Sequence, residues 1–303
     1  MRLANISNRL KLVTADSEVI DISQETGGRF SPRIQECYER WDELLDVAAT
    51  LQNTSGKPLS QVPRQEFGIP APQPRQVFAI GLNYAAHAAE ASLAVPENLT
   101  VFTKFASSLA GPYGSITLPQ GTVDWEVELV AVIGRGGRHI PVEEAWNRVA
   151  GLSIGQDLSE RTMQSAGPAP QYSLAKSFPG FGPIGPLLVT PDEFEDPDSI
   201  ELGCSINGEL VQKGNTSDMV FPVPEIIARL SRITPLLPGD VIFTGTPPGV
   251  GVGRVPQRFL TAGDELVTYM RGVGEMRHRM QARQESGTGP GRGRFRGMNK
   301  GVQ

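Results

Sequence analysis

A run of carboxylates leading into an apolar strand constrains this chain more than any other feature. Val123-Asp124-Trp125-Glu126-Val127-Glu128-Leu129-Val130-Ala131-Val132-Ile133-Gly134 is dominated by Val, Ile and Leu and alternates at its start, the pattern of a β-strand. Side chains of a strand alternate between faces, so Asp124, Glu126 and Glu128 fall on one side and Val127 and Leu129 on the other. From Leu129 onward both faces are apolar, which points into a core. Carboxylates carried into a core are costly unless compensated, and three on one face repel one another. A bound divalent cation would remove both difficulties. The alternative is an edge strand with a solvated acidic face.

The remaining composition narrows the class. The chain has 303 residues, of which 39% are apolar and 20% charged, a soluble globular balance with room for one large domain or two modest ones. With 34 Gly and 25 Pro, short strands and turns are expected rather than long helices. A net charge of -5 argues against general nucleic-acid binding. Cys37 and Cys204 are the only cysteines, so neither a disulfide framework nor a Cys-based zinc site is available. No run approaches the ~18 apolar residues of a membrane span, and the N-terminus lacks a signal-peptide core, so a cytoplasmic location is expected.

Residues 1–72 read as a small N-terminal domain. Leu10-Lys11-Leu12-Val13 and Val19-Ile20-Asp21-Ile22 are strand-like around the turn Ala15-Asp16-Ser17, and Pro32 to Leu51 has helical spacing at Trp41, Leu44, Leu45 and Ala48. The proline-rich Ile69-Pro70-Ala71-Pro72-Gln73-Pro74 marks a boundary, and residues 73–275 form the catalytic domain. Asn207-Gly208 signals a hairpin, and Val223 to Leu230 a short helix. Residues 276–303 are basic and Gly-rich and read as a disordered tail.

Several stretches carry chemistry-bearing side chains. Val77 to Tyr84 is a strand ending in a Gly turn, followed by the helical Ala85-Ala86-His87-Ala88-Ala89-Glu90-Ala91, whose Gly and Ala content suits a lid. His87 and Glu90 lie at i and i+3, so the carboxylate can orient the imidazole and raise its basicity; an incidental surface pair is the competing reading. Lys104 sits in the strand-like Val101-Phe102-Thr103-Lys104-Phe105, as an anion contact or as a snorkelling surface lysine. Asp157 ends a strand-like run and is well placed as a third carboxylate ligand, with Arg161 and Gln164 at i+4 and i+7 from it. Lys176 is a second embedded lysine. The loop Thr244-Gly245-Thr246-Pro247-Pro248-Gly249-Val250-Gly251 matches neither a phosphate loop nor a dinucleotide fingerprint.

Taken in order, these stretches resemble the fumarylacetoacetate hydrolase family. The resemblance rests on Gly81-Leu82-Asn83-Tyr84 with His87 and Glu90, Phe102-Thr103-Lys104, Asp124-Trp125-Glu126-Val127-Glu128-Leu129, Gln156-Asp157 with Arg161 and Gln164, Lys176-Ser177-Phe178, and Pro238-Gly239-Asp240 with Thr244-Gly245-Thr246-Pro247. It implies an α+β, mainly β fold: a mixed β-roll catalytic domain behind a small N-terminal domain, in a homodimer. It also implies Glu126, Glu128 and Asp157 as metal ligands. An all-oxygen set suits Mg²⁺, Mn²⁺ or Ca²⁺ rather than zinc. His87, Glu90 and Lys176 are the implied catalytic residues, and Lys104, Arg161, Gln164 and Thr246 the substrate contacts. Pro179 departs from the family pattern, where many relatives carry Asp after the Lys-Ser-Phe motif.

The implied activity is metal-dependent hydrolysis of a C–C bond in acylpyruvate-like 1,3-diketo acids through a stabilised enolate, in the context of aromatic catabolism. Lys176 would place positive charge near the enolate, Thr246 would hold the substrate carboxylate, and His87 would activate water. The alternative is isomerisation or decarboxylation of a 2-oxo or 2-hydroxydienoic acid, or of oxaloacetate, at the same metal site. The small 2-oxo acid is the expected partner; neither nucleic acid nor membrane is.

Overall fold

The computed structural model describes residues 1–283. The strand Val127–Ile133 lies inside a 12-stranded sheet, between Val149–Gln156 and Val241–Phe243. From there the sheet runs one way through Gly182–Val189 to Arg2–Ile6, Arg9–Val13, Glu18–Asp21 and Lys57–Pro58. The other way it runs through Val77–Gly81 to Thr100–Thr103. A second sheet of five strands is ordered Glu209–Asn215, Glu201–Ile206, Glu265–Met270, Gly274–Ala282, Tyr113–Leu118. Helices are few and short, so the mainly β, mixed-sheet class read from the turn-rich composition is the one observed.

The strand is buried on both faces because two different layers cover it. Val130 and Val132 pack with Leu10, Leu12, Trp41 and Leu44 from the first 72 residues. Leu129, Ala131 and Ile133 point the other way, into a cluster with Leu202, Cys204, Leu266 and Met276 of the second sheet. The N-terminal region is thus one layer of the common core. Its first strand pairs with Gly182–Val189 in the register Leu3↔Leu188, so the sheet runs straight across the boundary expected near residue 72. The proline-rich stretch is packed onto this core, with Pro70, Ala71 and Pro74 buried, and is not a gap between cores. The expected helix from Pro32 is broken into Ile34–Cys37, a 3₁₀ turn at Tyr38–Arg40, and Trp41–Leu51.

The basic segment expected as the start of a tail is instead a strand as far as Ala282. Gly274–Ala282 pairs with Glu265–Met270 on one side and Tyr113–Leu118 on the other. Met276, His278 and Met280 are buried, while Arg279 and Gln281 face out. The arginines disguise an ordinary period-two strand. The rest of the expected tail, 284–303, lies outside the described residues. The hairpin at Asn207-Gly208 and the helix Val223–Ile233 form as expected. Among the described residues no helix is long and apolar enough to cross a membrane.

Candidate metal and active site

Register builds the centre of the site. The acidic strand pairs antiparallel with Val149–Gln156 so that Val127 faces Gln156 and Glu128 faces Gly155. Asp157 follows directly and donates its backbone N–H to the Glu126 carbonyl at 2.9 Å. That places Asp157 beside Glu126, although 31 positions separate them in the sequence. The pairing is tight: a Cβ on Gly155 would stand 2.7 Å from both Phe243 and Val130. Glu126, Glu128 and Asp157 each offer an oxygen, and these oxygens lie within 4.8 Å of one another, all three residues being buried.

Asp124 parts company with the other acids. The strand is interrupted at Trp125-Glu126, and Val123–Asp124 forms its own pairing with Ser159–Glu160. The Asp124 carboxylate accepts from the backbone N–H groups of Gly251 (2.6 Å) and Val252 (3.0 Å) and pairs with Arg161 at 2.8 Å. It therefore anchors the Gly-rich loop and one cation of the site. A Cβ on Gly251 would overlap the Arg258 carbonyl oxygen, so this close approach requires glycine.

Three cations surround the acids. Lys176 donates to Glu126 Oε2 at 2.6 Å and to Asp157 Oδ2 at 2.7 Å. Burial works against its charge, but Asp157 and Glu126 outweigh burial and raise its pKa. Arg161 reaches Glu126 Oε1 at 2.8 Å and donates to the Gln164 side chain at 2.9 Å. Burial would push Glu126 up, yet Lys176 and Arg161 together hold it at about 2.

Lys104, expected as a substrate contact, is fully buried and donates to Asp157 Oδ1 at 2.6 Å and to the Lys176 carbonyl oxygen. It stands behind Asp157, where it fixes a carboxylate and the backbone of the other lysine.

Glu128 is the uncompensated member. Among the described residues it accepts one hydrogen bond, from the Gly245 N–H at 2.8 Å, and pairs with no lysine or arginine. Burial first, then Asp157 and Glu126, drive its carboxyl well above the usual range. A buried carboxyl without its own cation, next to two others that converge on the same point, is what a divalent ion would relieve. The donors are all oxygen and hold no thiolate or imidazole, so the residues present fit a hard cation such as Mg²⁺, Mn²⁺ or Ca²⁺.

The expected base also faces this centre. Ala85–Glu90 is a short helix, and His87 Nδ1 lies 3.3 Å from Glu90 Oε2. Glu90 in turn accepts the Gly249 N–H at 3.1 Å, tying the helix to the Gly-rich loop. Burial raises the Glu90 pKa, but His87 and that N–H outweigh it and hold Glu90 ionised. The Thr246 hydroxyl donates to the Val127 carbonyl at 2.8 Å and accepts from Gln212 at 2.9 Å.

Glu126, Glu128, Lys176, His87, Arg161, Gln164 and Thr246 line one cavity of about 320 Å³. Asp157, Glu90, Lys104 and Asp124 lie outside its lining, Asp157 behind the Lys176 ammonium it accepts from and Glu90 behind His87. Gln156 and Gln212 went unread as supports: they accept the Glu126 and Val127 N–H groups at 2.9 and 3.0 Å. The adjacency Gln156-Asp157 was the only available signal for the first; the second had none.

Comparison with known proteins agrees with this architecture. Residues 76–281 match the model of the fumarylacetoacetate hydrolase C-terminal domain. A human mitochondrial oxaloacetate tautomerase is 44% identical over 240 residues, 78% of this chain and 76% of that one. A crystal structure of a candidate HpcE protein from Mycobacterium smegmatis is 55% identical with a TM-score of 0.87, covering 94% of this chain and 100% of that chain. A maleylpyruvate hydrolase from Sphingobium, solved with manganese(II) and pyruvate, is 30% identical with a TM-score of 0.77, covering 94% and 100%. With two thirds of its length matched by the family model and a sheet topology shared with these structures, the chain belongs to the fumarylacetoacetate hydrolase family.

Proposed function

We propose that this chain interconverts the keto and enol forms of a 2-oxo acid at a divalent cation held by Glu126, Glu128 and Asp157. The observation that carries the reading is the convergence of three buried carboxylates within 4.8 Å, held by the Lys176 ammonium, with His87 of the His87–Glu90 pair lining the same cavity as Glu126 and Glu128. Similarity to the oxaloacetate tautomerase, at 44% identity, favours isomerisation over the hydrolysis first expected, since the maleylpyruvate hydrolase is 30% identical.

When bound, a divalent cation would supply Lewis acidity at the substrate's carboxylate and keto oxygens, which acidifies the neighbouring carbon. Lys176, whose pKa is raised, keeps its proton and sets positive charge beside the oxygen where negative charge develops. His87, steered through Nδ1 by Glu90, presents Nε2 to carry a proton to and from carbon. The Thr246 hydroxyl is committed to the Val127 carbonyl, so its backbone N–H is the better donor to a substrate carboxylate.

C–C hydrolysis is the second reading. The His87–Glu90 contact favours it, because the same base could activate water. The homodimer implied by the family resemblance belongs to this proposal as well. The test follows the ultraviolet absorbance of enol-oxaloacetate and of a series of acylpyruvates with Mg²⁺ and with chelator, while assaying pyruvate release. Accelerated keto–enol decay without product supports isomerisation. Carboxylic acid and pyruvate from acylpyruvates support hydrolysis, and pyruvate from oxaloacetate supports decarboxylation. No metal-dependent change in any of these would overturn the proposal.

A further inference from the structure

The cavity's lining is mixed: Glu126, Glu128, Lys176, Arg161 and His87 share it with Ile80, Leu82, Leu93, Phe102, Tyr172 and Val252. A volume of about 320 Å³ reaches the ~300–1,000 Å³ range of drug-sized ligand sites, well beyond what a three-carbon acid fills. Among the described lining residues the only lysine and arginine are Lys176 and Arg161, and both are committed to carboxylates at 2.6 to 2.8 Å. Arg161, which the family resemblance implied as a substrate contact, is held by Asp124 and Glu126.

Charge counting gives the same answer. Asp124, Glu126, Glu128 and Asp157 oppose Lys104, Lys176 and Arg161. A dication added to this set leaves one net positive charge, enough for one carboxylate. His87 and Glu90 do not change the balance in substrate's favour: with the ring neutral they add a negative charge, and with it protonated they cancel. A second carboxylate on the substrate would be desolvated against the aliphatic and aromatic lining, with no uncommitted lysine or arginine among the described lining residues to meet it.

From this geometry we infer that the site selects 2-oxo acids extended by an uncharged, apolar tail, and disfavours those whose far end is a second carboxylate. Phe102 is stacked on Tyr172 with ring centroids 5.7 Å apart and borders the Lys176 ammonium at 5.1 Å, so it joins the acidic centre to the apolar lining. Leu93, half exposed at the rim, is the residue that would meet the tail's end. Oxaloacetate is too short to test the inference, because its second carboxylate sits one carbon from the keto group and does not extend into the apolar lining. The inference rests on the metal-dependent 2-oxo acid reading above.

The test is calorimetric binding to the Mn²⁺-loaded chain of three acids: pyruvate, 2-oxoadipate and 6-methyl-2-oxoheptanoate. The last two match in length and shape and differ in whether the far end is a carboxylate or an isopropyl group. The expected result is binding of all three, with the isopropyl acid about tenfold or more tighter than 2-oxoadipate. Leu93→Lys, a change at an exposed rim position, should narrow that gap by strengthening 2-oxoadipate while leaving pyruvate unchanged. Equal or tighter binding of 2-oxoadipate to the wild-type chain, with pyruvate bound, would overturn the tail inference alone. Failure of pyruvate to bind would overturn the 2-oxo acid reading, and the inference with it.

Discussion

Replacing Glu128 by Gln should have opposite effects on the metal-free and metal-loaded protein. Gln keeps an oxygen to accept the Gly245 N–H, now 2.8 Å from Glu128 Oε2, and removes the charge. In chelator-treated protein the wild-type carboxyl is buried beside Asp157 and Glu126 and has its pKa driven well above the ordinary value. The sign follows from linkage. A carboxyl whose folded pKa exceeds its unfolded value, about 4.3, destabilises the fold increasingly as pH rises from that value toward the folded one. The penalty grows by about 1.4 kcal/mol per pH unit, to an upper bound near 3–4 kcal/mol at pH 7. Relief of about 3 kcal/mol corresponds to a gain of about 5 °C in thermal midpoint for a chain of 303 residues, at roughly 2.1 cal/mol/K of unfolding entropy per residue. Metal affinity should move the other way, by more than the ~10–100-fold that a second-layer change costs, because a charged ligand is lost. Differential scanning calorimetry between pH 5 and 8 with chelator, paired with Mn²⁺ titration, reads both. Destabilisation of the metal-free chain by Glu128→Gln at pH 7 to 8 would refute the view of Glu128 as an uncompensated buried charge.

Other outcomes follow from particular contacts. His87→Ala should slow turnover by about 10²–10⁴-fold while leaving the Mn²⁺ dissociation constant unchanged, as read by steady-state rates and titration. Trp125, fully buried with its indole N–H donating to the Gly249 carbonyl at 3.1 Å, should cost about 3–5 kcal/mol in urea unfolding when replaced by Ala. Asp21 is pushed up by burial but held far below the usual carboxylate range by Arg9 and Lys11, both 2.6 Å away. Its stabilisation is therefore full above its unfolded pKa of about 3.9 and fades as pH falls below it. Asp21→Asn should cost about 1–3 kcal/mol at pH 7, and the two stability curves should converge toward pH 2.

The acidic strand was readable because its chemistry is local. Alternating Glu126 and Glu128 before an apolar run names both a fold element and a conflict that an ion resolves. Asp157 could be proposed from its place at the end of a strand-like run, but its position beside Glu126 depends on an antiparallel register that neither segment encodes alone. Asp124 shows the limit of period-two reasoning. A two-residue break at Trp125-Glu126 turned it from the other acids to the loop at Gly251. Lys104 was readable as an embedded cation but not as a support for Asp157, since its place just past the strand Thr100–Thr103 does not say which way the ammonium reaches. Composition misled at Met276 to Ala282, where outward Arg and Gln masked an inward row of Met276, His278 and Met280. At the other end, the short apolar strands of residues 1–72 suggested a separate unit, because nothing in them announces that Leu10 and Leu12 cover Val130 and Val132.

The most direct measurement of the central claim is exchange of the pyruvate methyl protons with deuterated solvent, followed by proton nuclear magnetic resonance on the Mg²⁺-loaded chain. Enolisation is common to the isomerase and hydrolase readings, so this assay tests the shared step. The account predicts exchange well above the buffer rate, lost with chelator and strongly reduced in Asp157→Asn. Exchange at the buffer rate in the loaded wild-type protein, or exchange that survives both chelator and Asp157→Asn, would contradict it.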